Sequence, residues 1–262
     1  MKVKKYCKIA VTSLQSNLVY VSNLLGGTVF FAFIIYIFLQ LWKIIYGGKA
    51  DLSGYTIQQV IWYCIVTEII TLSGSNAFND VNVEIKEGSI AYLLNRPYHY
   101  VLYQLSNGAG VIAFKLVINV IMGIVIGFLY VGGLKSFRIE AIPFIVLSAV
   151  ISILISFFIY ISIAMTSFWL EDNMAFFWVF QKLSFIFGVF LPVEFLPGWL
   201  KNIALLTPFP YMSYAPAKLT VDFSVSRAEN LLAAQGIYLA VFIVLAFGIY
   251  SKGVKMLNVN GG

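Results

Sequence analysis

The sequence predicts an all-α, polytopic membrane protein of about six transmembrane helices. Two observations carry that prediction. The chain is 61% hydrophobic and only 11% charged, with a mean hydropathy of +0.90, whereas a soluble domain carries about 25% charged residues. Its apolar residues also fall in runs near the roughly 20 residues that cross a bilayer as a helix, and the runs lack the strict alternation of strands. In hydrocarbon every backbone polar group must pair within its segment or in a closed barrel. Long runs without alternation therefore read as helices.

The elements follow in order, all within one membrane domain, residues 1–262. Residues 2–18 read as an interfacial helix: Val3, Cys7, Val11, Leu14 and Leu18 form one stripe, with Lys2, Lys4, Lys5 and Lys8 off it. The alternative, a simple flank of the first span, places this end on the same side. The expected spans are Leu18–Trp42, Ile57–Phe78, Leu116–Gly133, Ala141–Phe168, Met174–Leu191 and Leu231–Tyr250. Between the second and third lies a polar insert, residues 79–98. Gly88 and Pro97 bracket a short helix there in which Ile90, Leu93 and Leu94 turn to the protein, leaving Glu84, Lys86, Glu87, Asn95 and Arg96 for a soluble partner. The half-polar stretch Tyr98–Phe114 reads as a helix entering at the same face, before the true span begins at Leu116.

Residues 192–229 hold five of the seven prolines, at 192, 197, 208, 210 and 216, among apolar residues such as Trp199, Leu200 and Ile203. Proline breaks helices, and broken apolar backbone at membrane depth must be covered by protein or line a cavity. A broken, re-entrant external hairpin is the expectation. Gly123 and Gly127 form a small-residue pair that admits another helix. Ser148, Ser152 and Ser156 mark one face of the fourth span, either meeting a helix or lining a pathway.

An even number of spans puts both termini on one side. The side holding the termini carries Lys2, Lys4, Lys5, Lys8, Lys86, Arg96, Lys252 and Lys255. The other carries Lys43, Lys49, Lys135, Arg138, Lys201, Lys218 and Arg227. The N-terminal cluster decides for cytoplasmic termini. Glu68 and Lys182 fall inside the second and fifth spans. A charge at the bilayer centre costs about 3 kcal/mol, so each lines the route of a polar substrate, snorkels, or joins a mutual or intersubunit pair.

Charge and side-chain chemistry exclude several classes. The net charge of +6 comes from lysines at segment ends, suited to anionic lipid headgroups rather than nucleic acid. Cys7 and Cys64 lie in segments that do not suggest a disulfide, and no cleavable signal is expected. His99 is the only histidine, without the ligands a metal would need, and Glu171 with Asp172 reads as a solvated loop. No Gly-rich phosphate loop is present; Gly47-Gly48-Lys49 is too short and follows a span.

Three stretches together resemble the permease of type-2 ATP-binding-cassette exporters, which move drugs, polysaccharides and lipids out of bacteria. They are Glu87–Pro97; Phe190-Leu191-Pro192 with Leu196–Leu200, Thr207–Tyr211 and Pro216; and Tyr250–Lys255 ending in Gly261-Gly262. The resemblance covers nearly the whole chain. It implies a multi-pass protein of the bacterial inner membrane that pairs with an identical or similar permease and docks a separate cytoplasmic ATPase. By the same resemblance Glu84, Lys86, Glu87, Gly88, Ser89, Tyr92, Asn95 and Arg96 are the coupling residues. ATP and Mg²⁺ would bind on the ATPase, with no catalytic residue, metal or cofactor on this chain, and the substrate would be a drug, peptide, lipid or other amphipath. The rival is an ion-coupled secondary transporter using Glu68 and Lys182 as coupling charges. It predicts an inverted repeat that the sequence does not display. A lipid-modifying membrane enzyme would want clustered carboxylates or histidines near one interface.

Overall fold

The computed structural model describes residues 2–19 and 22–260, and these form helices and connections with no β-strand among them. The helices are α1 (Lys2–Val19), α2 (Ser22–Tyr46), α3 (Ile57–Leu72), α4 (Ala77–Lys86), α5 (Ile90–Leu94), α6 (Tyr100–Tyr130), α7 (Ile142–Met165), α8 (Met174–Ser184), α9 (Gly198–Leu205), α10 (Tyr214–Val221) and α11 (Val225–Asn260). A π-helical turn, Phe185–Phe190, continues α8. Among the described residues five segments are long and apolar enough to cross a bilayer, and the apolar helix Met174–Phe190 is shorter. Gly261-Gly262, and the side chains of Lys2, Val3 and Leu18, lie outside the described residues.

Several boundaries differ from the expected ones, each for a physical reason. The second pass is two helices, α3 and α4, separated at Ser73–Asn76. The break survives because α6 satisfies it: Lys115 Nζ donates to the Gly74 carbonyl at 3.1 Å, and Asn119 Nδ2 donates to Ser73 Oγ at 3.0 Å. The third pass starts at Tyr100 rather than Leu116, as one helix of 31 residues. At about 1.5 Å per residue it exceeds the roughly 30 Å hydrocarbon core, so its polar first turns extend past the apolar zone. The last pass runs Val225–Asn260 rather than Leu231–Tyr250, and the first begins at Ser22 and extends to Tyr46.

α1 meets α6 through a face that carries Ser13. Cys7 and Val11 are exposed, while Ser13 is buried and donates to the Asn107 carbonyl of α6 at 2.8 Å. Gly110 of α6 makes the contact possible, since a Cβ there would lie 2.4 Å from the Ala10 carbonyl.

α3 is the central strut, buried from Val60 to Ile65 and packed against α2, α6 and α10. On α6, a Cβ at Gly123 would meet Ile69 at 2.6 Å, and one at Gly127 would meet the Trp62 ring at 2.5 Å. These two glycines seat α3. Gly127→Leu is therefore expected to destabilise the fold by about 1–3 kcal/mol through overpacking. A melting temperature in detergent equal to wild type would contradict this contact.

Ser148 and Ser152 face helix and hairpin, not an open channel. Ser148 Oγ donates to Gln235 Oε1 of α11 at 2.9 Å, and Ser152 Oγ donates to the Tyr211 carbonyl at 2.9 Å; Ser156 bonds back to the Ser152 carbonyl at 3.0 Å. Gln235 is fully buried and its Nε2 also donates to Ser152 Oγ at 2.9 Å.

The proline-rich segment is broken into short helices, and it ends before the expected residue 229 because α11 already begins at Val225. α10 is buried along its whole length against α3 and α7, while α9 leaves Trp199 and Ile203 exposed, as is Leu206 just after it. The π turn before the hairpin offers carbonyls without regular partners, and α3 supplies them. Tyr63 Oη donates to the Gly188 carbonyl at 2.7 Å, and Thr67 Oγ1 to that of Val189 at 3.3 Å. A charge cluster pins α10 in place. Lys218 Nζ lies 2.8 Å from Glu194 Oε1 and 2.8 Å from Asp222 Oδ2, Tyr214 Oη donates to Glu194 Oε1 at 2.9 Å, and Arg227 Nη1 reaches Asp222 Oδ1 at 2.8 Å.

Candidate functional site

The connection from α4 to α6 is an exposed polar feature at one end of the bundle, and its shape follows from a few residues. α4 is capped by Glu87, whose amide donates to the Val83 carbonyl at 2.9 Å, and Gly88 then turns the chain with φ +75°. A side chain is strained in that left-handed region, which is why glycine terminates the helix. α5 follows at once. Ile90 is buried and Leu93 and Leu94 are half-buried, so one face of this single-turn helix rests on the protein. The opposite face is free: Lys86, Glu87, Gly88, Ser89, Tyr92, Asn95 and Arg96 are all exposed, and the Arg96 guanidinium stacks 4.4 Å from the Tyr92 ring centre.

Glu84 is placed differently from the other seven. It is half-buried, and Oε2 accepts hydrogen bonds from Tyr100 Oη and from Gln104 Nε2, the latter at 2.7 Å. Its carboxylate ties the end of α4 to the first turn of α6, bracing the base of α5. Glu84 thus holds the turn rather than presenting a charge outward.

Behind α5, α4 is keyed into the bundle by Phe78, Val81 and Ile85, all buried. The Phe78 ring stacks on Phe177 of α8 with centroids 4.0 Å apart. Asn82 is buried and its Nδ2 donates to Asn173 Oδ1 at 3.0 Å, while Ser167 Oγ donates to Asn82 Oδ1 at 2.8 Å. Asn173 in turn donates from Nδ2 to the Ile163 carbonyl of α7 at 2.8 Å and to Ser167 Oγ at 2.8 Å. Its neighbours Glu171 and Asp172 are exposed. One helical turn thus separates the exposed tip from a hydrogen-bonded hub joining α4, the end of α7 and the start of α8.

α1 and the end of α11 share this end of the molecule. Lys5 Nζ donates to the Pro97 carbonyl, the His99 amide donates to Tyr6 Oη at 3.0 Å, and the His99 ring lies 5.0 Å from Phe247 and 4.8 Å from Tyr250. The connections 47–56, 131–138 and 191–224 occupy the opposite end.

The two membrane charges lie apart from this tip and from each other. Glu68 is 3% exposed within the bundle, and Lys182 is exposed on the outer face of α8, 5.7 Å from the Trp178 ring centre. No ion pair joins them among the described residues. Asn82, Gln104, Tyr100 and Asn173 were not singled out by sequence. The available signal was polar side chains at the ends of apolar runs, where an uncompensated amide is costly to bury.

A family model described as ABC-2 family transporter protein matches residues 30–261. None of the curated proteins compared with the chain matches it.

Proposed function

The chain belongs to the ABC-2 transporter family and is a membrane permease component of an ABC transporter; from that premise we propose that it docks a separate cytoplasmic ATPase through α5 and works as an exporter. The observation that carries the reading is the pairing of a free polar tip with a braced base. Lys86, Glu87, Tyr92, Asn95 and Arg96 are open to a soluble partner, while Glu84 and Asn82 fasten the helix beneath them to α6, α7 and α8. A push on α5 is passed through α4 to Phe177 and Asn173, and so to α8. In this reading ATP and Mg²⁺ bind on the ATPase, closure of its dimer moves the coupling helices, and hydrolysis resets them.

The same reading sets α1, α5 and the end of α11 in the cytoplasm of a bacterial cell, with the proline-rich hairpin outside. It also calls for a second permease, identical or similar, against α8. Lys182 on the outer face of a membrane pass is poorly tolerated by lipid, and the exposed Phe176, Trp178, Val179 and Ile186 beside it make a face that a second subunit covers. The cargo is an amphipath such as a drug, peptide or lipid.

The test is co-purification with a phosphate-loop ATPase. Glu87→Arg with Arg96→Glu should abolish capture without changing the melting temperature, because both side chains are exposed. Unaltered capture would remove α5 as the docking element. Uphill flux by the chain alone in liposomes, without nucleotide, would remove the ATPase from the mechanism.

A further inference from the structure

We propose that the cleft between α1, α4 and α6 binds the headgroup of a zwitterionic phospholipid, with its phosphate on Lys115 and its ammonium on Asp80. The cleft has a volume of about 280 Å³ and is walled by Asn17 of α1, by Asn76 and Asp80 at the start of α4, and by Asn107, Phe114 and Lys115 of α6. It holds one cationic and one anionic side chain, and no ion pair joins them among the described residues. Lys115 spends one of its three donors on the Gly74 carbonyl, leaving two for phosphate oxygens. A simple anion would meet Lys115 but also the Asp80 carboxylate, and a simple cation would meet the reverse. A ligand with both signs satisfies the pair, and the amides supply neutral hydrogen bonds around it.

Position selects a lipid over a soluble zwitterion. α1 is the helix with Lys4, Lys5 and Lys8 off its apolar stripe, and it crosses α6 at Gly110, between the cleft residues Asn107 and Phe114. That sets the cleft at headgroup level. Beyond Phe114, Val117, Ile121, Ile124 and Phe128 follow at helical spacing and are all exposed. They form an apolar strip that continues from Phe114, at one wall of the cleft, and an acyl chain can lie along it.

The experiment is native mass spectrometry of the full chain released from nanodiscs of equal phosphatidylethanolamine and phosphatidylglycerol. Wild type should retain phosphatidylethanolamine at least about fivefold over phosphatidylglycerol, a preference of roughly 1 kcal/mol at 1.4 kcal/mol per tenfold. Asp80→Asn should erase the preference, and Asp80→Glu, which keeps the charge and leaves Lys115 on the Gly74 carbonyl, should retain it. Asp80 is exposed, so its asparagine variant should fold, checked by melting. Equal retention of the two lipids by wild type, or an unchanged preference in Asp80→Asn, overturns the assignment. Displacement of the lipid by equimolar soluble phosphoethanolamine overturns the lipid in favour of a soluble ligand.

Discussion

Lys218→Ala is expected to destabilise the protein by about 3–5 kcal/mol, because removing one partner of a buried ion pair strands the other. Lys218 is 5% exposed, and both Glu194 and Asp222 lie 2.8 Å from its ammonium. Thermal or denaturant unfolding in detergent measures the loss. Lys218→Met combined with Glu194→Leu should recover much of it, since an apolar pair replaces a buried ionic one at little cost. A single alanine variant as stable as wild type would mean that the cluster does not hold α10.

The same cluster sets an acid limit. Burial pushes the Glu194 carboxyl up, but the Lys218 ammonium and the hydrogen bonds from Lys218 and Tyr214 outweigh it, and the group titrates below its ordinary value. Asp222 is held down against burial in the same way by Lys218 and Arg227. A carboxyl depressed in the folded state contributes its full stability above the unfolded pKa and loses it as pH falls through the folded one. Stability should therefore hold from neutrality to about pH 5 and decline below it, less steeply in Glu194→Gln. A decline on raising the pH from neutrality would contradict the sign.

Asn173→Ala is expected to separate docking from transport. The substitution leaves the buried Asn82 amide and the Ile163 carbonyl without the partners they have at 3.0 and 2.8 Å, a loss of about 2–3 kcal/mol. The exposed face of α5 is untouched, so ATPase capture should persist. ATP-driven flux should fall at least roughly tenfold, within the range of a lost coupling free energy. Glu171→Ala, an exposed neighbour, is the matched control. Flux equal to wild type in Asn173→Ala would place the path from α5 to α8 elsewhere.

The all-helical membrane architecture, the approximate passes and the broken hairpin were legible in the chain because each depends on local chemistry. Apolar runs of spanning length are driven out of water, prolines break the interior of a helix, and Gly88 takes the positive φ that ends α4. The sequence names Gly123 and Gly127 as a small-residue pair for a similar reason: absence of a side chain is visible in sequence. Partners are not. Glu84 reads like Glu87 along the chain, yet Tyr100 and Gln104, sixteen and twenty residues on, turn it from an outward charge into a brace. Ser148 and Ser152 suggested a helix contact or a pathway, and Gln235 of α11 with the Tyr211 carbonyl made it a contact.

The lysine at position 218 shows the same division. By sequence it is one of seven basic residues on one side of the membrane, with nothing to separate it from Lys201. Folding surrounds it with two carboxylates and the Tyr55 ring, whose centre lies 4.7 Å from its ammonium. Hydropathy and backbone-breaking residues act within a few turns of the chain, so they establish that this protein crosses a membrane and where it must bend. Which polar groups meet across the bundle depends on long-range packing, and there burial obliges each one to find a partner that no local pattern names.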